Sequence, residues 1–342
     1  LLSILCSLKP KARNPRHVDI RELFVTPPEQ EKSYFPVRSG LNYAFLQLDR
    51  LGRFLEPFIP GGIRQRALKE AGHWFVERLN GTDGLGGIFP AMVNAHEALD
   101  CLGYPPGHPY RMNTKEALKN LIVNKDDLAY CQPCVSPVWD TALACLALQE
   151  EGSDASKEHV IRALDWLKDR QLMDEPGDWR EKHPGLKGGG WAFFFSNPYY
   201  PDLDDTAVVA LAMHQANYER YAEPVQRAAD WICGMQSKNG GFAAYDSDNT
   251  YSYLNEIPFA DHGALLDPPT SDVSARCANI LVRLGRSSHE VRACLEYLKE
   301  EQEEDGSWFG RWGTNYIYGT WSVLAAFEKV NDPAYRPSIE RA

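Results

Sequence analysis

Apolar positions recur three and four residues apart along most of the chain, and the segments that carry this helical period are of two kinds. Residues 157–171 mix charge with apolar residues, the pattern of a helix half in water. Residues 206–213, Thr-Ala-Val-Val-Ala-Leu-Ala-Met, are apolar nearly all round, as in a helix buried on every side. The contrast repeats. Four half-solvated segments end alike: His73-Trp74-Phe75 to Leu79, Asp165-Trp166-Leu167 to Gln171, Asp230-Trp231-Ile232 to Gln236, and Glu296-Tyr297-Leu298 to Gln302. Glycine and an aromatic or aliphatic residue follow, loosely at Gly84–Ile88, after a long stretch at Gly190-Trp191, and closely at Gly240-Gly241-Phe242 and Gly306-Ser307-Trp308. A more apolar segment then begins near Pro90, Pro137, Asp202, Asp272 and Tyr318. No sustained period-two segment interrupts the series. Pairs of one polar and one apolar helix, repeating about every 65 residues, predict an all-α fold, an α/α toroid with inner and outer rings.

The repeat carries a geometric expectation. When the apolar segments are aligned on Thr141-Ala142, Thr206-Ala207, Ser274-Ala275 and Thr320-Trp321, Trp139, Asp204, Asp272 and Tyr318 stand two residues earlier. Equivalent positions in a ring of helices face a common centre, so these four are expected to line one mouth of a cavity. Helix N-termini there favour carboxylate.

Charge narrows the function. Against 36 Lys and Arg stand 47 Asp and Glu, a formal net charge of −11, which argues against a nucleic-acid partner. The 44% hydrophobic content supports a large core, and 342 residues suffice for two or more domains. No apolar run approaches the roughly 20 residues of a spanning helix. The eight cysteines are scattered except Cys131-Gln-Pro-Cys134, and this pair lacks the neighbours of a zinc site or the surroundings of a redox motif. They read as reduced loop or core thiols. The opening Leu-Leu-Ser-Ile has no basic n-region, so a signal peptide is not expected, and both ends read as cuts through a longer chain.

Three readings compete at Asp202, Asp204 and Asp205. They fit a helix N-cap with an acidic first turn. They also fit a crowded group in which one carboxyl keeps its proton and acts as an acid. Carboxylate oxygens would suit Mg²⁺ as well. Asp246-Ser-Asp248-Asn249 lacks the glycine and terminal Glu of a calcium loop and reads as a plain loop. Aromatics are 11% of the chain, and the run from Trp191 through Phe193, Phe194 and Phe195 precedes the acidic group. Most aromatics pack cores, but π-faces near a strong acid would also stabilise a carbocation.

At these residues the sequence resembles the squalene–hopene cyclases, the class II triterpene cyclases. The motifs are Asp202-Leu203-Asp204-Asp205-Thr206-Ala207, like the family's Asp-x-Asp-Asp-Thr-Ala, and Gln302 to Trp308, a member of its Gln/Trp repeats. Ser136–Thr141, Met235–Gly241, Asp267-Pro-Pro, Gly310–Gly313 and Tyr318–Thr320 fit in order. The resemblance implies two α/α barrels: residues 1–134 as the C-terminal part of the first and 135–342 as most of the catalytic one, both incomplete here. It implies protonation-initiated cyclisation of squalene to hopene or diplopterol, an isomerase reaction without metal or cofactor. It also implies peripheral, monotopic attachment to a membrane on its cytoplasmic side (lipid droplet or internal membrane in a eukaryote), and a homodimer is an option.

By that pattern Asp204 is the general acid, supported by Asp202 and Asp205. Tyr318 belongs to the proton relay, and Asp272 is a further carboxylate near the acid. Trp139, Phe193, Tyr245, Trp312 and Ile88 shape the substrate cavity. Where well-known bacterial members have a histidine beside the acid, this chain has Arg276. A guanidinium facing Asp204 would strengthen the acid but has no proton to release, and Arg276 could equally turn to a surface salt bridge. The rivals are an oxidosqualene cyclase, a diterpene cyclase needing Mg²⁺, a glycosidase using Asp204 and Asp272, and a toroid that serves only as a scaffold.

Overall fold

A computed structural model describes residues 1–11, 14–32, 35–194, 196–258, 265–286, 289–313 and 315–342, so Phe195 lies outside the described residues. The chain divides into two units. One comprises residues 1–84, 89–122 and 251–265; the other comprises 85–88, 123–250 and 266–342.

The first unit contains α1 (Leu2–Leu8), α2 (Gly40–Leu55), α3 (Gly61–Val76), α4 (Phe89–Cys101) and α5 (Pro109–Asn120), of which α3 and α4 fall at the two periodic segments singled out in this region, the one through His73-Trp74-Phe75 and the one from Pro90. Helix α2 starts at Ser39, whose Oγ accepts the Asn42 N–H at 3.0 Å, a hydroxyl filling one of the helix's orphan donors. Ser39 in turn donates to the Glu256 carboxylate, and the Asn42 side chain donates to the Glu256 carbonyl at 2.9 Å. These bonds tie Glu256 to this unit. Helix α4 packs on α1 and α5, burying Phe75, Ala95, Leu99 and Ala117 nearby.

Where the chain passes from residue 122 into the second unit it forms a two-stranded ribbon, β1 (Ile122–Lys125) and β2 (Leu128–Cys131), which the sequence pattern did not anticipate. Its strands are four residues each and mostly exposed, too short and too wet to alternate. Helices α6 (Pro137–Glu151), α7 (Asp154–Lys168), α8 (Leu203–Gly234), α9 (Ser271–Arg283), α10 (His289–Glu300), α11 (Tyr316–Val330) and α12 (Arg336–Arg341) follow. Helix α8 is two helices joined at Asn217, whose extended backbone breaks the ladder while its side chain accepts the Arg220 N–H at 3.0 Å to start the next turn. The inner elements are α6, the first part of α8, α9 and α11, each packed on the next. Behind them α7, the second part of α8 and α10 form the outer row, so the unit has the α/α toroid pattern.

The Gln and aromatic signature is a fastener between pairs. The side-chain amides of Gln171, Gln236 and Gln302 each donate twice. One bond goes to a glycine carbonyl (Gly189, Gly240, Gly306) at 2.7 Å, and the other to a carbonyl near the start of the next outer helix (Pro224, Glu290, Ser338) at 2.7–2.9 Å. The aromatic that follows is anchored by its backbone N–H, which Trp191, Phe242 and Trp308 donate to the hydroxyls of Thr206, Ser274 and Thr320 at 2.8–3.0 Å. These are three of the four hydroxyl residues on which the apolar segments align, Thr141 being the fourth. Trp191 and Trp308 also donate their indole N–H to Leu167 and Leu298 carbonyls. Each such bond contributes about 1 kcal/mol, and leaving a buried carbonyl unpaired costs more. Glycine is required at 240 and 306, where φ is +90° and +94° and an added Cβ would sit 2.4 Å from the Ala293 carbonyl oxygen and 2.1 Å from that of Arg341.

Candidate active site

The acidic triplet sits where α8 begins. The backbone just before it is clamped on both sides: Asp202 N–H donates to the Trp191 carbonyl at 2.7 Å, and Leu203 N–H to the Ala244 carbonyl at 2.8 Å. Asp202 is the N-cap. Its Oδ1 accepts the N–H groups of Asp204 at 2.7 Å and Asp205 at 3.2 Å, so one of the three carboxylates is engaged in holding the helix start. The Tyr245 hydroxyl adds a favourable interaction with the ionised form of the same carboxylate. Asp204 and Asp205 project from the first turn, and each has an Oδ1 with no hydrogen-bond partner.

Electrostatics follow from burial. Asp202, Asp204 and Asp205 are buried within four residues, with one cation among them. Burial pushes the Asp204 carboxyl up to about 8, against the opposing pull of Arg276 and with a further push from Asp202 and Asp272. Asp202 rises to about 7 for the same reason, relieved in part by the hydrogen bonds it accepts. Asp205 rises well above the usual range through burial and its two acidic neighbours. A carboxyl that stays protonated near neutrality and still borders a cavity is a proton donor in waiting.

Arg276 is that cation. From α9 its Nε lies 3.2 Å from Asp204 Oδ1, both side chains being about one-tenth exposed. Its guanidinium lies over three rings, 4.8 Å from Trp139, 4.7 Å from Tyr318 and 5.6 Å from Trp321, and donates to the Tyr318 hydroxyl. A planar cation caged by π-faces is held in place without hydration. Of the two orientations open to Arg276, the structure has the one facing the acid.

The cavity, of about 540 Å³, is bordered by Ile88, Trp139, Phe193, Tyr245, Trp312 and Tyr318 together with Asp202, Asp204 and Asp205. That volume lies in the range of small-molecule sites. Every residue expected at the cavity from the sequence therefore borders it, except Asp272. Asp272 is fully buried and turned away to four donors: the Thr270 hydroxyl at 2.6 Å and Val273 N–H at 3.0 Å on Oδ1, and the N–H groups of Trp312 at 2.8 Å and Gly313 at 3.4 Å on Oδ2. The expectation that all four aligned positions line one mouth is corrected at this residue. A carboxylate beside the Gly310–Gly313 loop gains more from its N–H groups than from facing an apolar cavity. The loop at Asp246–Asn249 holds an ammonium, as Lys182 Nζ contacts Asp246, the Ser247 carbonyl and Asn249.

Residues 135–342 match the squalene-hopene cyclase C-terminal domain, and residues 1–127 match the squalene-hopene cyclase N-terminal domain. The chain belongs to the squalene–hopene cyclase family. The squalene–hopene cyclase of Zymomonas mobilis is 47% identical over the whole of this chain and 54% of its own length. That of Schizosaccharomyces japonicus is 49% identical over 95% of this chain and 51% of its own. The squalene–hopene cyclase of Alicyclobacillus acidocaldarius is 40% identical over 96% of this chain and 52% of its own. The chain spans about half the length of the curated relatives it matches.

Some of this squalene–hopene cyclase family cavity is not picked out by the sequence. Gly86, Cys134, Asn197 and Tyr200 also border it. The place of Tyr200 two residues before Asp202, at the edge of the clamped backbone, is the signal that could have found it. Gly86 and Cys134 are brought in by a bridge between Ile88 and Cys134, a contact across 46 positions that no local pattern announces. Trp321, which completes the cage around Arg276, stands next to an alignment marker, and nothing in its sequence surroundings points to a cation.

Proposed function

We propose that the chain carries the acid-bearing part of a squalene–hopene cyclase, with squalene as substrate and hopene or diplopterol as product. In the first step the Asp204 O–H bond breaks and a C–H bond forms at a terminal alkene carbon. The π pair supplies the new bond and leaves a tertiary cation on the adjacent carbon. Successive alkene π pairs close the rings, and the last cation loses a proton or takes up water. The proton comes from a side chain, so the step needs no metal. Asp202 holds the start of α8, and Arg276 supplies the charge that stabilises the Asp204 carboxylate left behind. Trp139, Phe193, Tyr245 and Trp312 offer π-faces to the travelling cation and no strong base to quench it. Tyr318 accepts from Arg276, leaving its own hydroxyl proton free to point to water that reloads the acid.

The observation that carries this reading is a buried Asp204, held protonated to about pH 8, on the wall of an aromatic cavity. Membrane attachment is part of the proposal. It is supported by the exposed apolar side chains of Leu48, Leu51, Phe54 and Leu55 on α2 and Phe58 just beyond. Among the described residues no helix is long and apolar enough to cross a membrane. Two barrels divided near residue 134 remain the proposed domain plan.

The test is incubation of the full-length gene product with squalene in detergent and EDTA, products read by gas chromatography–mass spectrometry. Pentacyclic product that disappears in Asp204→Asn supports the assignment. A folded protein that leaves squalene untouched refutes it and moves 2,3-oxidosqualene to the front.

A further inference from the structure

At the start of α9 and just before it stand two carboxylates five residues apart, Asp272 fully buried and Asp267 half-buried, and neither donates the proton in the acid chemistry. Asp267 Oδ2 accepts the backbone N–H of Tyr245 at 2.7 Å. Asp272 Oδ2 accepts the backbone N–H of Trp312 at 2.8 Å. The two aromatic residues so held meet each other on the cavity wall, rings 6.1 Å apart and nearly perpendicular at 83°. They come from different loops, and Trp312 is half exposed, so its own packing does not fix it. Thr270 adds a clamp on the segment itself, donating its hydroxyl to Asp272 at 2.6 Å and its N–H to the Phe242 carbonyl at 3.1 Å.

We propose that Asp267 and Asp272 are positioning residues that set product fidelity by fixing the Tyr245–Trp312 pair against the cavity. This rests on the cyclase reading above. The two carboxylates act at a distance from the reacting carbons. Each accepts the backbone N–H of the aromatic it places, and a charged acceptor holds an amide more firmly than a neutral one. A π-face that stabilises a cation must be present at the carbon where charge develops. If the pair loosens, partly cyclised cations lose a proton before the next ring closes. The same link accounts for the Asp267-Pro-Pro motif, because the prolines stiffen the four-residue spacer between the two anchors.

The experiment compares Asp267→Asn, Asp272→Asn and the milder Thr270→Val in the full-length protein. The first readout is the ratio of mono- and bicyclic to pentacyclic products from squalene. A several-fold rise in that ratio, with total turnover lowered less than in Asp204→Asn, supports the proposal. An unchanged ratio in folded variants overturns it. The second readout needs no turnover: ¹⁹F NMR of protein labelled with 5-fluorotryptophan, the Trp312 signal assigned by its loss in Trp312→Phe. A shifted or broadened Trp312 signal in Asp272→Asn and Thr270→Val is expected, and an unmoved one overturns the proposal. If wild-type protein makes no product from squalene, the cyclase reading fails, while the NMR result still decides whether Asp272 positions Trp312.

Discussion

Removing the cation beside the acid should change both the strength of the acid and the pH range over which it works. Arg276 Nε and Asp204 Oδ1 are 3.2 Å apart with little solvent between them. At an effective dielectric of about 20 the pair interaction is about 5 kcal/mol, an upper bound equivalent to about four pKa units. Opposite charges at such distances lower a carboxyl by roughly one to three units. Arg276→Gln should therefore raise Asp204 by roughly one to three units above its present value of about 8. With about half of that change expressed in the proton-transfer barrier, kcat at pH 6 should fall roughly 3- to 30-fold. The basic limb of the pH–rate profile should at the same time move upward to about 9 or beyond, because the weaker acid stays protonated longer. Arg276→Lys restores charge but cannot lie flat against Trp139 and Tyr318, so it should fall between the two. The assay is the pH dependence of kcat with squalene, beside ¹³C NMR titration of the aspartate carboxyls. A folded Arg276→Gln protein with both its basic limb and its carboxyl titration unmoved would falsify the assignment of Arg276 as the partner of Asp204.

Two further outcomes follow from the same structure. Asp202, Asp204 and Asp205 bind their protons more tightly folded than unfolded, so their contribution to stability is fully present below the unfolded value of 3.8 and is lost as pH rises from there through 7 and 8. For Asp202 alone the rise from 3.8 to about 7 corresponds to about 4 kcal/mol. Scanning calorimetry should show Tm falling between pH 5 and pH 9, and Asp205→Asn should flatten that slope; a steeper slope in the variant would contradict the burial argument. In the fasteners, Gln236→Ala removes two hydrogen bonds and should cost roughly 1–3 kcal/mol in urea unfolding. Gly240→Ala, which meets the Ala293 carbonyl in a left-handed backbone, should cost at least as much, and a loss under about 0.5 kcal/mol in either would refute the role of that contact.

Much of this arrangement is written locally. The switch from half-solvated to wholly apolar helical segments places every helix of the inner and outer rows, because burial on one side or on all sides leaves different periodicities. The hydroxyl markers Thr206, Ser274 and Thr320, chosen only for alignment, turn out to accept the N–H of the aromatic before them. Asp204 was legible for the same reason, since a repeat brings equivalent positions to one level. What was not legible depends on contacts distant in sequence. Whether Arg276 faced Asp204 or water hinged on Trp139 and Tyr318 meeting over its guanidinium. Asp272 occupies an aligned position, yet the return of residues 310–313 offers it N–H donors, which no repeat phase encodes.

The Gln side chains have a further consequence for how the second unit comes apart. Each amide reaches from the end of one helical pair to the start of the following outer helix, so its two acceptors belong to different pairs. A pair cannot fray alone: releasing it strips its neighbour of a bond as well. Amide hydrogens flanking Gln171, Gln236 and Gln302 should consequently exchange as a cooperative block with nearly equal protection, whereas independent pairs would show a staircase of values. The element that opens is the seam, and the helices on its two sides share one fate.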